Sequence, residues 1–360
     1  MPRLSIHRRL SAGILLILIS SALAIPASAV EVPGLYEATV AMEQDTQAQR
    51  ATAFRDAMVL VLVRVTGNPA VAADPQVADL VRQSESYVQQ YRRTQEGDLW
   101  VGFDGEAINR ALIDLGLPIW GAERPSVLLL LALDRGAGER FILSAEDELP
   151  DPANDDLREQ LLLESALRGL PLILPLMDGQ DRSVLSFNEV WGGFDQAMFE
   201  AGQRYATDAI LLGRYSNDAP RSVRWTLYEQ NQAYRWEGLV SEGIAGAADR
   251  FAVRYAVATS AALEGEIGVS IVGIESLIHY GRVLSYLESL TAVEAVSVRG
   301  ISGDRAVFGL RLRGNIENVD QAIRLGGLLE REQLPTDVPD SPAIPDSVER
   351  RIALAYRLVR

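Results

Sequence analysis

The chain has 360 residues, of which 48% are hydrophobic and 23% charged, a composition typical of folded domains rather than of disordered chains. Because one hydrophobic core rarely grows beyond about 250–300 residues, this length predicts two or three domains. Cysteine is absent, all 34 basic residues are Arg, and 49 acidic residues give a net charge of −15. These counts exclude disulfides, thiolate catalysis and lysine-dependent phosphate loops, and the acidic balance disfavours nucleic acid as a partner.

The first 29 residues have the pattern of a secretory signal peptide. Basic residues precede a 16-residue apolar run, Leu10–Ile25, and a small-residue cleavage site ends at Ala29. The run is shorter than the roughly 20 residues that a membrane span needs, which favours cleavage after Ala29 over an uncleaved anchor. We therefore expect a periplasmic protein that is exported by the general secretion pathway and keeps no integral membrane segment.

Residues 30–122 are predicted to form a small N-terminal α+β domain. Alternating apolar residues in Gly34–Met42 indicate a strand, and a capping box at Thr46 begins a helix that ends at Gly67. A hairpin through residues 95–97 and a second helix, Asp104–Leu115, complete a β-α-(α)-β-β-α unit.

Residues 123–265 are predicted to form a middle α/β domain with a mixed sheet. The nearly continuous apolar run Ser126–Leu133 is typical of a strand buried on both faces. Two more strands, Gly169–Met177 and Asp208–Tyr215, alternate with helices, which favours parallel pairing. A hairpin over residues 221–240 extends one edge, and the Ala-rich stretch Ala245–Leu263 is predicted to be a long helix.

Residues 266–360 follow the order β-α-β-β-α-(β), which predicts a ferredoxin-like α+β sandwich. Four prolines interrupt the stretch before the closing strand, so residues 335–345 are predicted to form a Pro-rich loop. The sequence therefore predicts a multidomain protein of the α/β and α+β classes, in which a mixed-sheet middle domain is flanked by two small α+β units.

Five stretches of the N-terminal domain carry a family resemblance. They are Gly34-Leu35-Tyr36, Val63 to Asn68, Tyr87 to Arg92, Leu99 to Asp104, and Gly116 to Gly121 before Arg124-Pro125. Together and in this order they resemble a family of exported proteobacterial proteins that is catalogued as domain-of-unknown-function family 2066. The resemblance implies an envelope location and supplies no catalytic residue.

A shorter motif in the middle domain carries a second resemblance. Ala206, Asp208 and Gly213 lie at the spacing A-x-D-x-x-x-x-G. This motif resembles the strand entry in the amino-terminal domain of the Tol system's TolB protein and in the curli secretion lipoprotein. Those domains are assembly and docking modules, so the resemblance implies a related fold rather than an enzyme.

Few residues are suited to catalysis or metal binding. His279 is the one histidine that remains after cleavage, so it cannot build a multi-histidine metal site, and we expect a packed or surface role. The acidic run Glu146–Asp156 offers oxygen ligands for calcium but lacks the EF-hand pattern, and its last acids equally suit the start of the next helix. We expect no catalytic residue, cofactor or metal ligand, and the calcium question at this run stays open.

Aromatic and arginine side chains in the N-terminal domain are of types enriched at protein interfaces. Tyr91 and Arg92-Arg93 are our candidates for such an interface. Trp100 and Trp120 are predicted to pack in the core, since aromatic residues are common on the buried faces of strands.

The signal peptide, the missing catalytic signatures and the docking-module resemblance favour a non-catalytic binding or scaffold factor for an envelope assembly. Its expected partner is an envelope protein. The alternative is a carboxylate-based periplasmic hydrolase of cell-wall glycan, which would need two carboxyl groups about 5–10 Å apart in one cleft.

Overall fold

The computed structural model describes residues 32–146, 151–217, 222–230, 232–257, 266–332 and 352–359, and these form helices and three β-sheets. The predicted α/β and α+β class is confirmed. The predicted signal peptide, 1–29, and the Pro-rich loop, 335–345, lie outside the described residues. No helix within the described ranges is both long and apolar enough to cross a membrane.

The N-terminal unit is an antiparallel three-stranded sheet with one long helix on its inner face. Its elements are β1 (Glu37–Val40), α1 (Gln47–Thr66), α2 (Ala78–Arg82), β2 (Val88–Arg93), β3 (Leu99–Phe103) and α3 (Gly105–Asp114), with the sheet order β1-β3-β2. Apolar residues recur every three or four positions along α1 from Ala53 to Val65 and join the core under the sheet. The Thr46 hydroxyl caps the first turn, and Gly67 ends the helix in the left-handed conformation, as the sequence predicts.

The middle unit is a six-stranded mixed sheet with helices on both faces. Its elements are β4 (Val127–Gly136), β5 (Glu139–Ile142), α4 (Pro152–Arg168), β6 (Leu172–Ile173), α5 (Asp181–Val184), α6 (Phe187–Gly192), α7 (Asp195–Arg204), β7 (Ala209–Ser216), β8 (Val223–Glu229), β9 (Gln232–Gly238) and α8 (Val240–Tyr255). The strand order is β5-β4-β7-β8-β9, and β6 pairs with β4. Along β4, odd-numbered residues from Val127 to Leu133 pack with α4 and α8, and even-numbered residues pack with α6 and α7. Both faces of β4 are therefore buried, as its unbroken apolar run predicts.

Two predicted elements of the middle unit differ from the structure. The strand predicted over Gly169–Met177 is reduced to β6, because Pro171 and Pro175 flank it and have no N–H to donate to a ladder. The helix predicted over Ala245–Leu263 is α8, which begins earlier because the Glu242 carboxylate accepts a hydrogen bond from the Leu239 N–H just before its first turn. It ends at Tyr255, followed by Ala256 in an extended conformation, and residues 258–263 of the predicted helix lie outside the described residues.

The C-terminal unit is a five-stranded sheet packed against two helices. Its elements are β10 (Glu266–Val272), α9 (Leu277–Ser289), β11 (Val293–Ser302), β12 (Arg305–Leu312), α10 (Ile316–Leu325), β13 (Leu329–Arg331) and β14 (Ile352–Leu358), in the sheet order β11-β12-β10-β14-β13. The β-α-β-β-α order of a ferredoxin-like unit is present. The sequence pattern does not indicate the short strand β13, and β14 pairs antiparallel with it and parallel with β10. The closing strand of a ferredoxin-like sandwich would instead run antiparallel to the first strand.

A buried arginine joins the N-terminal and middle units. Arg124 has no exposed surface, and its guanidinium carbon lies 4.0 Å from the centre of the Trp120 ring. Its N–H groups make five hydrogen bonds of 2.7–3.0 Å, all to main-chain carbonyl oxygens, those of Arg64, Trp120, Gly121, Arg168 and Gly169. Arg64 and Arg168 lie in the last turns of α1 and α4, so the cation sits at the negative ends of two helix dipoles. Burial, followed by repulsion from Arg64, lowers the pKa of Arg124 to about 9, which leaves the group charged at neutral pH.

Further contacts close the same joint. The Arg168 side chain donates to the carbonyl oxygen of Gly67 at 3.0 Å and forms an ion pair with Asp249 on α8. Ile119 and Val257 form an isolated antiparallel bridge. The end of α1, the segment before β4 and the helices α4 and α8 are therefore held against one another.

Gly67 offers a test of how closely the two units pack. A Cβ at this position would overlap the side chain of Ala252 and lie 2.7 Å from Cε3 of Trp120, at a φ of 67°. We expect Gly67→Ala to lower the free energy of unfolding by about 2–4 kcal/mol in urea denaturation.

Gly116→Ala is the matched control for this prediction. Gly116 has a φ of 70°, but no atom lies within 4 Å of the position that an added methyl group would occupy, so only the conformational cost of about 1 kcal/mol applies. Equal losses for Gly67→Ala and Gly116→Ala would contradict close packing at the joint.

Candidate functional site

The outer face of the N-terminal sheet borders an open cleft of about 570 Å³. Gly102 lies at its centre on β3, opposite Glu37 on β1 and Gln90 on β2. The segment 32–36, which leads into β1, forms one wall. The cleft is therefore built on regular strands, which hold its side chains at fixed register.

Trp100 forms part of the floor of this cleft. Strand alternation buries Leu99 and Val101 in the core and leaves Trp100 half-buried on the opposite face, so the prediction that Trp100 packs in the core is wrong. Its indole lies across Gly102, where a Cβ would be 3.0 Å from Cη2 of the ring. The guanidinium of Arg92 stacks on the same ring, 3.8 Å from its centre.

Arg64 fixes the wall of the cleft. Its Nη1 donates at 2.8 Å to the carbonyl oxygens of Gly34 and Glu37, on either side of the turn into β1. The turn requires a left-handed residue, and Gly34 supplies it with a φ of 66°. The main-chain carbonyl of Arg64 accepts from Arg124, so one residue connects the joint between the units to the cleft.

The side chains of the cleft are mainly apolar, aromatic and amide groups. It is lined by Val32, Pro33, Gly34, Leu35, Tyr36, Glu37, Gln89, Gln90, Trp100, Gly102, Phe103 and Ala122. Among these lining residues Glu37 is the one carboxylate, and none is a histidine or a serine. The Tyr36 hydroxyl donates to Asn109 at 2.9 Å, and burial raises the pKa of that hydroxyl. Amide, carboxylate and indole groups together can hydrogen-bond and stack against a polar chain.

The predicted interface residues separate in the structure. Arg92 stacks on Trp100, which lines the cleft, and Tyr91 is 54% exposed, with its ring packed edge-on against Phe54 at 5.3 Å. Arg93 instead donates to main-chain carbonyl oxygens, including that of Met42, and braces the hairpin. Trp120 is 1% exposed, which confirms its predicted core position.

His279 has a local structural role. It lies half-buried in the first turn of α9, where its own N–H donates to the Ser276 hydroxyl and its Nδ1 accepts from the Glu275 N–H at 3.4 Å. These contacts agree with the expected packed or surface role.

The acidic run lies partly outside the described residues, which omit 147–150. Within the run, Asp151 caps α4 by accepting from the Ala153 N–H at 3.0 Å and pairs with Arg135 at 2.8 Å, and Asp155 lies in the first turn of the helix. The Asp151 carboxylate serves the helix N-terminus, as one of the two interpretations predicts. In the part of the chain that the structure covers, no group of three or more His, Asp or Glu residues could hold a metal ion.

A smaller cleft of about 380 Å³ contains the carboxylates of Glu43 and Asp56. Both residues are exposed to solvent. A glycosidase general acid lies instead in an apolar environment that keeps it protonated. The larger cleft has one carboxylate among its lining residues, so neither cleft combines a buried acid with a second carboxylate.

The motif around Asp208 stabilises the mixed sheet. Its Oδ2 accepts from the Ser126 N–H at 2.8 Å and from the Ser126 hydroxyl at 2.7 Å, which fixes the start of β7 beside β4. A Cβ at Gly213 would lie 2.5 Å from Trp225 and 2.6 Å from Leu131, so only glycine fits there. The spacing of this motif therefore follows from packing.

Comparison with known proteins characterises the N-terminal unit alone. Residues 29–121, which include all but the last residue that lines the large cleft, match the model of a family described as Domain of unknown function (DUF8605). No curated protein and no solved structure gave a match. The chain thus contains a domain of unknown function, and its more specific assignment to family 2066 is not confirmed.

The role of the Arg64 side chain can be separated from that of its carbonyl. Arg64→Met removes both hydrogen bonds to the wall of the cleft but keeps the carbonyl that Arg124 uses. We expect a loss of about 1–3 kcal/mol in unfolding free energy, with the largest increase in the rate of amide exchange at residues 33–37. Arg55→Met, an exposed site on the same helix, is the control. Unchanged amide exchange at residues 33–37 in Arg64→Met would contradict the role of the Arg64 side chain in holding the wall of the cleft.

Proposed function

We propose that the protein is a non-catalytic binding or scaffold factor of an envelope assembly, and that the cleft on its N-terminal sheet docks a segment of a protein partner. The observation that carries this proposal is the composition of the cleft, whose lining residues supply an indole, two glutamine amides and a single carboxylate. Such groups hold a polar chain by hydrogen bonds and stacking, and they provide no acid–base pair.

The edge of the sheet supports a polypeptide as the ligand. β2 is an edge strand beside the cleft, and five of its six residues are exposed. An edge strand presents unpaired N–H and C=O groups to which an extended segment can add. Gln90 and Arg92 on this strand would then contact the side chains of the added segment.

The sequence pattern supports the location. The signal-peptide pattern of residues 1–29 and the resemblance to family 2066 both favour export to the periplasm. We also propose that the chain is a member of family 2066. The alternative hydrolase is not proposed, since neither the cleft on the N-terminal sheet nor the smaller cleft beside it has a buried acid paired with a second carboxylate.

Photo-crosslinking tests the docking site. With p-benzoylphenylalanine at position 90, we expect one discrete protein adduct from intact cells. The same probe at position 110, an exposed site on α3 of the same unit, should give none. The periplasmic fraction should contain a chain that begins at Val30.

Several results would contradict the proposal. These are an absent adduct, equal adducts at both positions, or a cytoplasmic chain with an intact N-terminus. Cleavage of cell-wall glycan that Glu37→Gln abolishes would also contradict it and favour the hydrolase.

A further inference from the structure

Three arginines lie together on one face of the middle sheet. Arg214 on β7 is directly opposite Arg224 on β8, and Arg235 on β9 is directly opposite Thr226. Thr226 lies two residues from Arg224, so the three guanidinium groups share one face across three neighbouring strands. Arg224 and Arg235 are exposed and Arg214 is half-buried. We refer to Arg214, Arg224 and Arg235 as the arginine face.

The arginine face lacks neutralising partners within the described ranges, where none of its members forms an ion pair. Other arginines of the middle unit do: Arg204 pairs with Asp178 and Asp181. The side chain of Arg214 is packed against Gly193, where a Cβ would lie 2.5 Å from Nη2, and its Nε is buried without a hydrogen-bond partner. In a chain with a net charge of −15, three neighbouring cations that form no ion pair in the described ranges add no salt bridge to the fold.

Repulsion among these groups is felt at Arg214. Burial lowers the pKa of its guanidinium, and the charges of Arg224 and Arg235 lower it further. Two acids near the face form no ion pair with it in the described ranges: Glu237 lies directly opposite Arg224, and Asp208, which lines the adjoining cleft, accepts hydrogen bonds from Ser126. An anionic ligand would therefore relieve a repulsion that the folded chain contains.

Aromatic surface continues from the arginine face. Tyr228 follows on the same side of β8, and Phe199 packs edge-on against it at 6.1 Å while remaining 42% exposed. Both line an open cleft of about 500 Å³. The Arg224 guanidinium also lies 5.7 Å from the ring of Trp191. Cationic and apolar subsites are thus adjacent.

We propose that the arginine face and the adjoining cleft dock an extended acidic segment of a partner protein, with its carboxylates on the arginines and an apolar side chain beside Phe199 and Tyr228. The outer strands of the face are two strand spacings, about 9.6 Å, apart. In an extended segment with polyproline II geometry, which has three residues per turn, acidic residues three positions apart lie on the same face and about 9 Å apart. The surface is open and exposes two guanidinium groups. It therefore suits a polypeptide better than a small anion, which a closed site would hold.

Fluorescence anisotropy of the full chain with a labelled peptide tests this docking site. The probe is Asp-Glu-Phe-Asp-Glu-Phe, and the matched peptide has Asn and Gln in place of the acids. We expect the chain to bind the acidic peptide and not the matched peptide. The affinity should fall as the salt concentration rises. Arg224→Gln with Arg235→Gln should weaken binding by about tenfold or more, a loss of about 1.4 kcal/mol or more, because it removes two of the three cations that would contact the acids.

Arg55→Gln with Arg110→Gln removes the same charge from exposed sites on the N-terminal unit and should leave binding unchanged. The melting temperature of the Arg224/Arg235 variant should equal or exceed that of the natural chain, because the variant removes two like charges. Equal weakening in both double variants, a lower melting temperature in the Arg224/Arg235 variant, or no binding of the acidic peptide would each overturn the proposal. Binding to phosphatidylglycerol vesicles in preference to the peptide would overturn it in favour of a membrane surface.

Discussion

The structure depends on one guanidinium group. A charge taken fully out of water is costly unless its hydrogen bonds are made, and Arg124 makes five of them without a carboxylate partner. Three of its acceptors are carbonyl groups at the ends of α1 and α4, which α-helices leave unpaired, two lie in the segment before β4, and the face of Trp120 covers the group. One side chain therefore completes two helix termini in two different units and fixes their relative position.

The same joint determines the geometry of the cleft. Arg64 accepts from Arg124 through its carbonyl and clamps the turn before β1 through its guanidinium. Arg168, beside it, reaches the end of α1 and Asp249. These roles explain part of the composition: a planar fork with five donors can satisfy several carbonyl groups at once, whereas lysine offers a point charge. The arginine face of the middle unit differs, because none of its groups forms an ion pair in the described chain, and a ligand is proposed there for that reason.

Local sequence patterns predict the helices and strands of this fold better than they predict the contacts between its units. Alternation in β1, the caps of α1 and the unbroken apolar run of β4 each depend on near neighbours, so the sequence indicates them correctly. The role of Arg124 cannot be predicted in this way, since its acceptors include carbonyl groups 60 and 44 residues away. The prediction that Trp100 packs in the core is wrong for a related reason. Strand residues alternate between the two faces of a sheet, but the sequence pattern does not indicate which face is buried. The arginine face arises from the pairing of three strands. None of its three residues indicates such a face when it is considered alone in the sequence.

The most direct test of this account measures whether Arg124 couples the two units. Amide exchange in the full chain, followed peptide by peptide at increasing urea, reports on the N-terminal and middle sheets separately. In the natural chain we predict that β1–β3 and β4–β7 lose protection at the same urea concentration. In Arg124→Met the N-terminal sheet should lose protection first, while Arg110→Met, at an exposed site, should behave like the natural chain. Coincident loss of protection in Arg124→Met, at an unchanged urea concentration, would contradict the central role of this residue.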